Sequence, residues 1–377
     1  MKFNVGSKAL YANVSAVSKV INSKNALSVL NNFLLELEGD TLTVTASDIE
    51  NRLVAQVGVS EAEGGGKYCV DARKMVELLK EMPDQGITFE INEQTLESEI
   101  KYANGSFQFV AIPGDEYPEP AKAEEDEAEP IVLTMSGERV VKGIENTLFA
   151  ASTDDFRPQM MGILWDVKPD QLVLVATDTR KLVRYIDKTV KSEQEGSFIL
   201  PSKPANILKS ILHADDEVNI EVGPKSATFK TATMTLTCQL IKGRFPDYNR
   251  VIPQYNPFTL NVDKAAFSSA VRRVGVFVDP SHGLVRFKVT PELVHMKTVD
   301  SNYNTKGQES VACSFDGQEL IIGFSAPYLL DILSTIASPE LKISLSDQGR
   351  PGIICPSEDK DDTEILMLLM PMNVQEF

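Results

Sequence analysis

Histidine and cysteine are scarce in this chain: its 377 residues include 3 His, 4 Cys and 1 Trp. The cysteines, Cys69, Cys238, Cys313 and Cys355, stand far apart in strand-like or loop contexts. That spacing excludes a disulfide framework and a zinc-ligand pattern, and it predicts buried free thiols. His213, His282 and His295 form no HxH or HxxxH pair that could hold a metal. No run approaches the ~18 apolar residues of a membrane helix. The start, MKFNVGSKALYANVSAV, has no apolar segment of signal-peptide length, so a cytoplasmic location is expected. The stretch GGGK at 64–67 invites a phosphate loop but fails its spacing. Glu61 stands where the first glycine belongs, and Tyr68 where Ser or Thr must follow the lysine. It reads as a hairpin turn. No Ser/His/Asp order, nucleotide fingerprint or paired-acid motif stands out, which predicts no catalytic residues, no cofactor and no metal.

What the chain does have is a core and an acidic balance. Hydrophobic residues make up 42% and charged residues 24%, with a net charge of −17. That is the composition of two or three globular domains. The negative charge argues against a nucleic-acid partner, unless the positive residues are segregated.

They are. Helix-like stretches at 8–24, 139–153 and 264–277 each present apolar residues on one face, with Leu10, Val140 and Phe267 in corresponding places. Each is followed by a strand–turn–strand pattern, turning at Gly39–Asp40, Pro169–Asp170 and Pro291–Glu292. A second helix then recurs at 72–82, 202–212 and 325–335, and further strands follow it. The three stretches 8–24, 202–212 and 264–277 contain Lys and Arg but no acidic residue. Recurrence in one order at nearly constant spacing predicts three α+β units. Basic helices on an acidic chain fit presentation of helices to a polyanion.

The joints are legible as well. PEPAKAEEDEAEP (118–130) is acidic, proline-bearing and without apolar period, the pattern of a solvated linker. VIPQYNP (251–257) is the second joint, directly after GRFPDYNRVIP (243–253). This places domains at 1–120, 130–252 and 256–377. In ATDTRK (176–181), Asp178 echoes Asp48 of ASDIEN (46–51), and an aspartate repeated at a strand end predicts a turn cap.

The runs ATDTRKLV (176–183), KGRFPDYNRVIP (242–253) and LLMPMNV (368–374), with the MKFNV start and the triple repeat, resemble the bacterial DNA polymerase III beta subunit family. The resemblance covers essentially the whole chain. It implies an α+β fold of three repeated DNA-clamp domains, each with two helices packed on antiparallel sheets. Two chains would close head-to-tail into a six-domain ring around duplex DNA, held without regard to base sequence. The implied role is that of a polymerase processivity factor with no active site. The implied partners are an ATP-driven clamp loader, the replicative DNA polymerase alpha subunit and other proteins carrying clamp-binding motifs. By matching position, a peptide-binding cleft would use Met160, Thr177, Thr179, Arg180, Leu182, Pro246, Arg250 and Val251. Its other wall would use Ser325, Tyr328, Pro351, Leu368, Leu369, Met370, Pro371 and Met372. Lys24, Arg73 and Lys203 match positions near DNA. Phe107 and Phe109 match one side of the subunit interface, Val276 and Phe277 the other.

This chain departs from the family pattern in three ways. Thr179, Arg180 and Lys181 stand where Gly-His-Arg is usual, the tail runs on as Gln375, Glu376 and Phe377, and the first linker is unusually acidic. Two other readings of the residues are a repeat scaffold that binds nucleic acid without forming a ring, and an enzyme with dispersed acids acting on sugars.

Overall fold

The computed structural model describes residues 1–119, 129–279, 283–300, 303–358, 362–374 and 377. The middle of the acidic linker, His282, Gln375 and Glu376 lie outside the described residues. Six α-helices fall where the repeat predicts them: α1 Ser7–Ser18, α2 Ala72–Glu81, α3 Gly137–Thr147, α4 Ser202–Ile211, α5 Lys264–Gly275 and α6 Ala326–Thr335. Asp71 and Asp263 cap α2 and α5, each accepting the backbone N–H of the third helical residue, from Lys74 at 2.8 Å and Ala266 at 2.7 Å.

Two helices are shorter than their apolar period predicts. α1 stops at Ser18 rather than running to Lys24. The chain tightens there, with Val20 donating to the Val17 carbonyl at 3.2 Å and Ile21 to that of Ser18 at 3.0 Å. The following Asn22, Ser23 and Asn25 favour turns over helix. α3 likewise ends at Thr147, and a 3-10 turn, Leu148–Ala150, completes the stretch. Lys19 and Lys24 therefore lie off α1, and the helices are less basic than the predicted stretches.

The chain forms two compact units, Met1–Val141 with Asn206–Leu240, and Lys142–Ala205 with Ile241–Phe377. The first holds two sheets. Its five-stranded sheet runs in the order Ser60–Glu63, Lys2–Gly6, Gly86–Ile91, Glu97–Tyr102, Gly105–Val110. Its nine-stranded sheet contains Gly66–Asp71, Asn32–Glu38, Thr41–Ser47 and Asn51–Gly58, followed by Met234–Gln239 of the second repeat. Leu10, Val14 and Val17 of α1 and Met75 and Leu79 of α2 are buried, and Phe3 stacks on Phe89 with ring centroids 5.1 Å apart.

The GGGK segment turns the chain, yet it does not close a hairpin. The strand before it pairs with Lys2–Gly6 and the strand after it with Asn32–Glu38, so it carries the chain from one sheet to the other. Gly64 and Gly66 have φ of +70° and +120°, conformations open to glycine.

The second unit is built on one twelve-stranded sheet. Strand Lys181–Asp187 of the second repeat pairs antiparallel with Thr363–Leu369 of the third, in register from Lys181↔Leu369 to Asp187↔Thr363. Strand Asn51–Gly58 makes the corresponding joint in the first unit, pairing with Met234–Gln239 from Cys238↔Asn51 to Met234↔Ala55. Each joint is thus a main-chain ladder. The free thiols fit the expected burial only in part: Cys69 and Cys238 are buried, whereas Cys313 and Cys355 are half-buried. Burial pushes the Cys69 and Cys238 thiols up to about 12, leaving both inert as nucleophiles near neutral pH.

Candidate peptide cleft

The residues matched to the cleft all belong to the second unit, and the ladder Lys181–Asp187 with Thr363–Leu369 brings many of them together. Leu182 lies opposite Leu368, which also faces Ile353 on its other side. The ladder continues beyond its last register pair, because the Met370 N–H donates to the Arg180 carbonyl at 2.8 Å. Two residues on, the Met372 N–H donates to the Gly323 carbonyl at 2.8 Å, pinning the LLMPM segment beside the strand that ends in Ser325. Leu182 and Leu368 share a core with Leu164, Phe245, Tyr248 and Ile353, and Met370 packs against it half-buried. Burying each leucine contributes roughly 1.5–3 kcal/mol, so this floor is rigid.

GRFPDYNRVIP supplies the adjoining wall. Phe245 and Tyr248 turn inward and are buried, and the Tyr248 hydroxyl donates to Asp166 Oδ2 at 3.0 Å. Burial, with the Asp166 carboxylate in addition, pushes the Tyr248 hydroxyl up to about 12. Pro246 between them is half-buried, while Arg250 and Val251 are exposed, Val251 by 51%. The inward aromatics fix a short 3-10 turn, Tyr248–Arg250, and leave its outer residues on the surface. Arg250 Nε sits 3.0 Å from Asp247 Oδ2.

The turn Thr177–Lys181 forms another edge. Asp178 accepts the N–H groups of Arg180 and Lys181, both at 2.8 Å, as a turn-capping aspartate does. Thr177 Oγ accepts from the Thr179 N–H at 3.1 Å and donates to the Lys181 carbonyl at 2.8 Å. Thr179 is held at φ +78°, a left-handed conformation costly for a β-branched residue.

Lys181 is not among the residues matched to the cleft by sequence. Its side chain is only 6% exposed, and its ammonium lies 2.7 Å from Asp331 Oδ2 and 3.8 Å from Asp178 Oδ2. It also sits 4.9 Å above the Tyr328 ring and 5.6 Å from that of Phe149. A lysine of the second repeat is thereby caged by α6 of the third. The legible signal was Asp331, the one charged residue of the α6 sequence APYLLDILST. Of the remaining cleft residues, Thr177 and Ser325 are buried, Leu369 is fully buried, and Thr179 and Arg180 are exposed. Tyr328, Pro351, Pro371, Met372 and Met160 are half-buried. The Pro351 carbonyl accepts from Asn256 Nδ2 at 3.0 Å, and the Met160 carbonyl from the Ser152 N–H at 2.8 Å.

The other matched residues lie elsewhere. Lys24 is exposed in the turn after α1. Arg73, on the first turn of α2, is exposed with Nε 2.8 Å from Glu77 Oε1, and that hydrogen bond raises the guanidinium pKa. Lys203 is half-buried on the first turn of α4. Phe107 and Phe109 occupy Gly105–Val110, an edge strand of the five-stranded sheet. Phe107 is 41% exposed and Val110 71%. Val276 and Phe277 follow α5 and are exposed by 78% and 43%. Phe277 lies against Gly307, where a Cβ would meet its ring at 3.3 Å. Gly307 belongs to strand Thr305–Phe315, whose residues 305–312 are paired along one side only.

Among the described residues no group of three or more His, Cys, Asp or Glu could hold a metal, and no helix is long and apolar enough to cross a membrane. Repeated helix-and-sheet domains joined by main-chain ladders are the architecture of the sliding-clamp class. Models of the DNA polymerase III beta subunit match the chain three times in succession, its N-terminal domain at 1–121, its central domain at 134–247 and its C-terminal domain at 249–373. The chain belongs to the DNA polymerase III beta subunit family, and it is a non-catalytic DNA polymerase processivity factor. The beta sliding clamp of Pseudomonas aeruginosa is 27% identical over 370 residues, covering 97% of this chain and 99% of its own. That of Bacillus subtilis is 26% identical over 383 residues, covering 99% of each. The P. aeruginosa clamp bound to griselimycin matches with a TM-score of 0.92 at 27% identity, over 99% of this chain and 100% of that one. The Thermotoga maritima beta subunit shares the fold, with a TM-score of 0.90 at 22% identity and 99% coverage of both chains.

Proposed function

We propose that two copies of this chain close head-to-tail into a ring that encircles duplex DNA, and that the cleft of the second unit tethers the replicative polymerase and other partners. The observation that carries the cleft is the convergence of Leu182, Leu368 and Met370 with GRFPDYNRVIP on one apolar floor. Methionines at 370 and 372 adapt to varied side chains. Short segments with one or two apolar anchors therefore suit it, at roughly micromolar strength once ordering costs are met. Replacing Met370 and Met372 with alanine is expected to abolish peptide binding and polymerase stimulation while leaving the dimer intact. Unchanged peptide binding would eliminate the cleft.

The ring rests on two apolar edges: Phe107 and Phe109 on an edge strand, and Val276 and Phe277 beside the half-paired strand Thr305–Phe315. A heterologous contact of this kind closes only if its rotation does. Light scattering should give twice the 41.5 kDa chain mass at micromolar concentration, and a strict monomer would refute the ring. A clamp loader is the partner that such a closed ring needs to reach circular DNA. Lys24, Arg73 and Lys203 are read as phosphate contacts, so short duplexes should bind weakly and lose even that with salt.

A further inference from the structure

Beyond the cleft floor, a groove of about 720 Å³ runs along the joint segment, lined by Arg250, Ile252, Pro253, Gln254, Tyr255 and Arg350. We infer that this groove takes an acidic flank of the partner segment whose apolar anchors occupy the cleft. The inference rests on the cleft reading and extends it by one subsite.

Continuity is the first argument. Ile252 packs on the same core as Leu182, Leu368 and Met370, so groove and cleft share one floor. Arg250 stands at their common edge, and Arg350 directly precedes Pro351 of the cleft wall. The groove is also built rather than incidental. Asn256 Nδ2 donates to the Ser344 carbonyl at 2.9 Å and the Pro351 carbonyl at 3.0 Å, tying the joint segment to the loop that carries Arg350.

Charge is the second argument. Two arginines, Arg250 and Arg350, line one groove on a chain of net charge −17. Each is steadied by an aspartate three residues before it, Arg250 by Asp247 at 3.0 Å and Arg350 by Asp347 at 3.4 Å. These side chains are 84% and 59% exposed, and ion pairs so exposed hold weakly. A guanidinium has five donors, so each keeps capacity for an incoming carboxylate. Tyr255, 71% exposed, offers an aromatic face beside them. An Asp- or Glu-bearing extension is the chemistry that matches this lining, and a basic one would be repelled.

The test uses the full chain and a fluorescein-labelled peptide with two apolar anchors. The peptide is extended at either end with a short run of glutamate or of glutamine. Glutamate at one end should tighten binding about five-fold over glutamine, with the gain shrinking in salt. Arg350→Ala should remove that gain and leave the unextended peptide's affinity unchanged, and Arg350→Lys should restore part of it. A glutamate gain that persists in Arg350→Ala, or no gain at either end, overturns the groove. Failure of the cleft itself is read separately, as binding of the unextended peptide that survives Met370→Ala with Met372→Ala.

Discussion

The turns Ser47–Asn51 and Thr177–Lys181 are one device used twice. In both, an aspartate carboxylate accepts successive backbone N–H groups, Asp48 from Glu50 at 3.1 Å and Asn51 at 2.7 Å, matching Asp178. In both, a hydroxyl one residue earlier bonds the fifth carbonyl, Ser47 to Asn51 at 3.0 Å and Thr177 to Lys181 at 2.8 Å. Both hold a β-branched residue at positive φ, Ile49 at 84° and Thr179 at 78°. The difference is the fifth residue. Asn51 turns back, its Nδ2 3.1 Å from each oxygen of Asp48, and the turn closes on itself. Lys181 is longer: its ammonium stays 3.8 Å from Asp178 Oδ2 and reaches on to Asp331 and the Tyr328 ring. One substitution in a repeated turn converts a sealed strand end into one that grips a helix of the next repeat.

The sharpest way to break this comparison is to remove both fifth residues. Lys181→Ala should cost about 3 kcal/mol of stability, because it strips a buried cation from Asp331 and from two rings. Asn51→Ala should cost about 1–2 kcal/mol, since only a side-chain amide contact to Asp48 is lost. Urea denaturation of each variant gives both numbers, and equal costs would mean that Lys181 holds nothing beyond its own turn. Lys181→Ala should also weaken peptide binding, whereas Asn51→Ala should not.

The next effect is alkaline. Tyr117 and Tyr248 hold corresponding places at the ends of the first two repeats, and burial pushes both hydroxyls up to about 12 from an ordinary 10.0. The folded protein keeps these protons after the unfolded chain has lost them. Stability is therefore full below about pH 10 and falls as the pH rises toward 12. Each tyrosine should contribute a fall of about 2 kcal/mol across that window. Tyr248→Phe and Tyr117→Phe should each flatten the profile, and a profile unchanged in both would show that neither hydroxyl is held neutral.

The smallest effect concerns strain. Thr179→Gly and Ile49→Gly relieve a β-branched residue at positive φ, against the entropy that glycine loses on folding. Each should stabilise by about 0.5–1 kcal/mol, read as a shift in urea midpoint. Destabilisation by either would show that its side chain makes a contact worth more than the strain.

The repeat, the six helices and the hairpin turns were legible because apolar period and turn residues are local properties. The end of α1 was not, since Val14, Val17, Val20 and Ile21 keep the apolar face going while Asn22, Ser23 and Asn25 stop the helix. GGGK announced a turn but not which strands it joined, because pairing partners are set by distant residues. Asp48 and Asp178 were readable as caps from spacing alone. The cage around Lys181 was not, since Phe149 is distant in sequence and Tyr328 and Asp331 meet it only through the ladder between repeats.

That ladder has a consequence for how such a chain can change over generations. Its bonds join amide to carbonyl from Lys181 to Asp187, and every residue except proline supplies both groups. Drift in side chains therefore leaves the joint standing so long as the strand alternation survives. A fold match of 0.92 to a relative at 27% identity is what backbone-held joints permit. The side chains around the joint are then free to diverge.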